Sequence, residues 1–139
     1  MASFNKFNQF VEDLAKGVHN FTSDSTCTVT VALTNTVPTS ANAVLADITQ
    51  ISYTNLSARV VTGIGVTETS GTASITATDL TLSATGSVGP FRYIVLYNDD
   101  PTSPADPLIG WYDYGSSITL ANGESFTIDF STDKIATLA

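Results

Sequence analysis

Phe4, Phe7, Val11, Leu14 and Val18 follow one another at spacings of three, four, three and four, the stripe of an amphipathic helix, and Gly17 supplies its stop. Beyond that stripe the period changes from helical to two. "TCTVTVAL" alternates so that Cys27, Val29, Val31 and Leu33 point inward while Thr28 and Thr30 face out. Residues 36–57, "TVPTSANAVLADITQISYTNLS", are mixed and rich in turn formers, which predicts a long excursion with at most one short helix or strand. "ARVVTGIGVTET", "ASITA" and "TDLTLSAT" then read as short strands in successive hairpins, punctuated by Ser70-Gly71 and Gly86.

The pattern intensifies in "FRYIVLY" and "LIGWYDYG". In the first, Phe91, Tyr93, Val95 and Tyr97 alternate with Arg92, Ile94 and Leu96; in the second, Ile109 and Trp111 lie opposite Leu108, Tyr112 and Tyr114. Strands without a polar face must be covered on both sides, by a second sheet, by the N-terminal helix or by a neighbouring subunit. "SITL", the Asn122-Gly123 turn and "ESFTIDF" predict a closing hairpin with Phe126, Ile128 and Phe130 on one face. The expected fold is therefore mainly β: a single β-sandwich or jelly-roll-like domain over 21–139, with residues 1–20 as an N-terminal helical arm packed on it.

Composition supports extended backbone, since 22 Thr and 15 Ser among 139 residues suit half-buried strands better than helices. That length buries about two thirds of the unfolded surface without disulfide staples. The charge is −8, from 13 acidic against 5 basic side chains. Phosphate recognition needs clustered Lys and Arg, so direct binding to nucleic acid or to an anionic membrane is not expected. No secretory segment or membrane span is expected either, because Lys6, Glu12, Asp13 and Lys16 interrupt the N-terminal stretch, and synthesis in a cytoplasm follows.

Candidate chemistry is thin. His19 is the one histidine and reads as a dipole-complementing residue at a helix end; Cys27 reads as an inert core thiol. One Cys and one His cannot furnish a zinc site, "GIG" at 63–65 fits a strand bend rather than a dinucleotide loop, and no cofactor motif occurs. Asp99, Asp100 and Asp106 share a loop with Pro101, Pro104 and Pro107, and Asp113 lies on the strand leaving it. The loop lacks EF-hand spacing, so a stiff exposed connection without a metal is expected. Tyr93, Tyr97, Trp111, Tyr112 and Tyr114 are expected in a core or an interface rather than on a carbohydrate platform.

The block "FRYIVLYNDDPTSPADPLIGWYDYGSSITLANGESFTIDF", preceded by "FNKFNQFVEDLAKGVHNF", "TCTVTVALTNTVPT" and "ADITQI", resembles small structural proteins of tailed bacteriophages, most of all capsid decoration (cement) proteins. The resemblance spans most of the chain and carries no catalytic signature. It implies a non-enzymatic homotrimer on the outer surface of the virion capsid that bridges capsomers of the phage major capsid protein. Phe4, Phe7, Val11, Tyr93, Tyr97, Trp111 and Tyr112 are then the expected subunit or capsid contacts. A phage tail tube or fibre-tip protein and a carbohydrate-binding β-sandwich module are the alternatives.

Overall fold

A computed structural model of the chain describes residues 3–22, 27–130 and 134–138. The strands are β1 (Asn5–Lys6), β2 (Val29–Thr34), β3 (Gly65–Thr69), β4 (Thr72–Thr76), β5 (Leu80–Ser83), β6 (Val88–Asn98), β7 (Leu108–Leu120), β8 (Ser125–Ile128) and β9 (Lys134–Leu138), with one helix, α1 (Asn8–Ala15). They form an antiparallel four-stranded sheet in the order β1-β7-β6-β2, a three-stranded sheet β3-β4-β9 and a pair β5-β8. The main core lies between the four-stranded sheet and the two smaller ones: Val29, Val31, Leu33, Ile94, Leu96 and Tyr112 meet Ile75, Leu82, Ile128 and Ile135. The fold is mainly β and sandwich-like, as the alternating segments predict.

The long β6–β7 hairpin is buried on both faces, also as expected, but by different agents. Its second face carries a smaller cluster of Phe7, Ala32, Ile48, Val95, Tyr97 and Leu108, with Leu45 and Trp111 packed against it. Residues 36–57 supply part of that cover: a short 3-10 turn at Leu45–Asp47 is tied down by Leu45 N–H to the Asp106 carbonyl and by Leu108 N–H to the Ala43 carbonyl, each 3.0 Å. For the same reason Thr30 is buried and not outward-facing, since it stands opposite Tyr97 on the covered face. The free edge of β2 is also closed, by Val31 N–H to the Arg59 carbonyl and Val61 N–H to the Val29 carbonyl.

Several expectations are corrected by tertiary pairing. The stripe from residue 4 to 18 is not one helix: Asn5 and Lys6 pair with Trp111 and Gly110 of β7, and the backbone is still extended at Phe7. Extended geometry sends Phe4 and Phe7 to opposite faces of the sheet, and a helix that starts at Asn8 buries Phe10 and Asp13 while Val11 is left 50% exposed. Strict alternation along the hairpin also fails. Tyr97 pairs with Leu108 and Leu96 with Gly110, so Ile109 is an extra residue and joins Tyr112 in the main core. A second shift, between Phe91 and Tyr93, moves Phe91 to the Ile94–Leu96 face.

The other two corrections concern partners distant in sequence. Ser70-Gly71 does connect a hairpin, β3–β4, but β5 pairs with β8 and not with a sequence neighbour. The turn at Asn122-Gly123 is likewise an arch between sheets. Ala84, at the end of β5, donates to the Glu124 carbonyl and accepts from Gly123 N–H, so β8 leaves β7 and adds to β5. Gly123 takes φ +87°, the left-handed conformation that such a turn demands.

Candidate interaction surface

The seven expected contact residues do not form one exposed patch. Phe7 is fully buried, Tyr93, Tyr97 and Tyr112 are buried, Phe4 and Trp111 are half-buried, and Val11 alone is exposed. The Phe7 and Trp111 rings pack at 4.6 Å on the second face, and Phe4 meets Tyr112 edge-on at 5.7 Å on the first. Phe4 lies directly above Gly110: a Cβ built there would come within 2.3 Å of its ring and 2.7 Å of the Asn5 carbonyl oxygen. The arm thus completes the domain's interior. The hydrophobic surface of the hairpin is used within the chain, by intramolecular cover that the sequence pattern does not specify.

His19 and Cys27 come to one corner of the fold. His19 lies four residues beyond α1 and is buried, stacked parallel on Phe21 at 5.6 Å and beside Phe10 at 5.3 Å, so the expected helix-end role is corrected. Its Nδ1 is 3.2 Å from the Asn98 side-chain nitrogen. Burial pushes the imidazole down to about 4, against a smaller upward pull from the Asp13 carboxylate. Cys27 packs on the main core, and burial pushes its thiol up to about 11, the direction opposite to that of an activated nucleophile. A neutral imidazole and a protonated thiol are what core packing produces.

The aspartates of the 99–107 loop do not gather with Asp113. Asp113 faces Arg92 in a two-pronged ion pair of 2.8 and 3.0 Å and accepts Gly115 N–H at 2.8 Å, which holds its carboxyl below the usual range. Four residues, Tyr114 to Ser117, lie between the Asp113 and Ile118 pairings while Arg92 alone lies between the matching positions of β6, so β7 bulges outward there. Within the loop Asp99 and Asp100 are exposed and Asp106 is half-buried. Burial, and then the charge of Asp99, raise the Asp106 carboxyl. Among the described residues no three His, Cys, Asp or Glu side chains come together as a metal site.

Besides a hollow of about 370 Å³ at the corner of Val18, Cys27 and Asn98, two further concave surfaces stand out among the described residues. One, of about 360 Å³, lies between β7 and β8, where the exposed Tyr114 ring on the bulge meets Phe126 edge-on at 5.3 Å above Ile94 and Tyr112. The other, of about 570 Å³, runs between the arm and β9, over Phe4 and Phe10, with Lys6 and Lys134 on its walls. Sequence reasoning missed both, because each joins segments distant along the chain. The one available signal was that Lys6 and Lys134 are two of only 5 cations.

No family model, curated protein or solved structure matches the chain. Among the described residues no helix is long and apolar enough to cross a membrane.

Proposed function

We propose that the chain is a structural, non-enzymatic virion protein of a tailed bacteriophage that sits as a homotrimer on the outer capsid surface and clamps neighbouring capsomers of the major capsid protein. The sequence resemblance suggests the location; one structural observation supports the role. His19 is buried against Phe10 and Phe21, and Cys27 and most of the aromatic residues belong to or pack on the two cores on either face of one hairpin, inside an acidic, cation-poor exterior. Such a body offers rigidity and surface contacts, which are what a clamp requires. A trimer makes weak contacts effective, because each becomes intramolecular once the first has formed. Since Tyr93, Tyr97 and Tyr112 are enclosed, the contacts are carried by exposed groups such as Val11, Tyr114 and Leu138.

Immunogold labelling of intact particles tests the reading, together with light scattering of the purified protein. Label on heads, three chain masses in solution and DNA loss at lower temperature from heads lacking the protein are expected. A stable monomer labelling only tails would replace it with the tail-protein reading. Saturable binding to glycans, with no label on particles, would replace it with the carbohydrate module.

A further inference from the structure

Of the chain's five cations, three are engaged internally. Lys16 pairs with Glu12, Arg92 with Asp113, and Arg59 donates to the Val31 carbonyl and lies 3.7 Å over the Tyr53 ring. The other two, Lys6 and Lys134, are exposed, form no ion pair among the described residues, and wall the same groove of about 570 Å³. Among the described residues no acidic side chain lines that groove, although acidic residues outnumber basic ones 13 to 5 in the whole sequence. Asp133, next to Lys134 in sequence, lies outside the described residues.

The groove's walls are also unusual in their backbone. β9 pairs only with β4, and β1 only with β7, so each is the outermost strand of its sheet and leaves one edge without a strand among the described residues. Between them the floor is apolar, built from Phe4, Phe10 and Ile135. Leu138, at the far end of β9, is 38% exposed. An open strand edge presents unpaired N–H and C=O groups to any extended chain laid beside it.

We propose that this groove is a strand-acceptor site for an extended segment of a partner polypeptide in which apolar and acidic residues alternate. The segment adds to the free edge of β9. Its apolar side chains lie on Phe4, Phe10 and Leu138, and its carboxylates meet Lys6 and Lys134. Charge complementarity selects this occupant: among the described residues the groove carries two ammonium groups without an ion pair and no carboxylate, so an acidic extended strand is attracted to it while a basic one is repelled. The inference does not depend on the virion assignment, and either can fail without the other.

The probe is a fluorescein-labelled ten-residue peptide of alternating Val and Glu, with the Val–Lys peptide as its charge control, added to the full chain. Saturable binding of the Glu peptide alone is expected, with backbone amide shifts and slowed hydrogen exchange confined to residues 4–10 and 134–138. Raised salt should weaken it, and Lys6→Glu with Lys134→Glu should weaken it at least tenfold while the melting curve is unchanged. Should the double variant unfold, Lys134→Gln alone, at an exposed position of β9, must still weaken binding severalfold. No saturable binding, shifts elsewhere, or affinity indifferent to charge reversal would overturn the proposal. So would self-association of the chain through this groove, seen as light-scattering mass lost on Lys134→Glu.

Discussion

Gly110→Ala is the smallest change that probes how the arm is attached. Alanine is ordinarily the better residue inside a strand by about 0.5–1 kcal/mol, so away from any neighbour the substitution would stabilise. Here the new methyl would sit 2.2 and 2.3 Å from two atoms of the Phe4 ring and 2.7 Å from the Asn5 carbonyl oxygen, a backbone atom that cannot rotate away. Overpacking of this kind costs about 1–3 kcal/mol, and displacing Phe4 also forfeits its edge-on contact with Tyr112. The net effect is a loss of about 1–2 kcal/mol, or roughly 3–7 °C in melting temperature for a chain of this size. Trp111, the one tryptophan, reports the event directly, because Phe7 packs on its indole and the Asn5 side chain donates to its carbonyl at 3.3 Å. Urea unfolding followed by Trp111 emission should show a lower midpoint and a red-shifted native baseline. In a Phe4→Ala background the same substitution should cost at least about 1 kcal/mol less, the Asn5 oxygen keeping the rescue partial. Unchanged or increased stability with unshifted emission, or an equal cost in both backgrounds, would refute the docking of the arm through Phe4 and Gly110.

The remaining predictions concern ionisation. His19 titrates lower in the folded chain, about 4, than its unperturbed 6.5, so its contribution to stability is present above pH 6.5 and is lost as pH falls toward 4, by at most about 1.4 kcal/mol per pH unit. Asp13 partly opposes this, and Asn98, Phe10 and Phe21 are the other groups around the ring. Denaturant midpoints of the parent and of His19→Gln, taken from pH 7.5 to 4, should converge as pH falls; parallel curves would contradict the burial. In the loop, Asp99→Asn should leave the melting temperature unchanged or slightly raised at pH 7, because it removes a like charge facing Asp106, and a chelator should have no effect. A drop of many degrees on adding chelator would show a metal requirement.

The residues that were legible in the sequence are those whose environment is dictated by period. Val29, Val31 and Leu33 face the main core as their alternation requires, and the absence of a polar face on residues 93–97 does correspond to cover on both sides. What could not be read is what provides the cover. The 36–57 excursion has no periodicity to betray that Leu45 and Ile48 lie over Val95 and Tyr97, and pairing of β5 with β8 links positions more than 40 residues apart. Register shifts were equally invisible, because one extra residue at Ile109 reverses the parity of what precedes it without altering composition. The helix phase departs from the stripe for a related reason: two residues of β pairing at Asn5–Lys6 reset it, so Phe10 and not Val11 faces inward.

These irregularities explain how the proposed strand-acceptor groove is built. Were β7 regular through Ile109, Leu108 and Trp111 would stand on opposite faces; the extra residue puts both on the second face, and Ile109 with Tyr112 on the first. Trp111 then meets Phe7, while the bare backbone of Gly110 leaves the space that Phe4 enters. Since those two phenylalanines flank β1, the bulge and the glycine together set the arm across β7, and the arm in turn forms one wall of the groove whose other wall is β9. The aromatic hairpin therefore shapes the proposed groove indirectly. Its rings fix the arm, and the arm places Lys6 on the same groove as Lys134, so the proposed strand-acceptor site depends on aromatic packing that is itself largely enclosed.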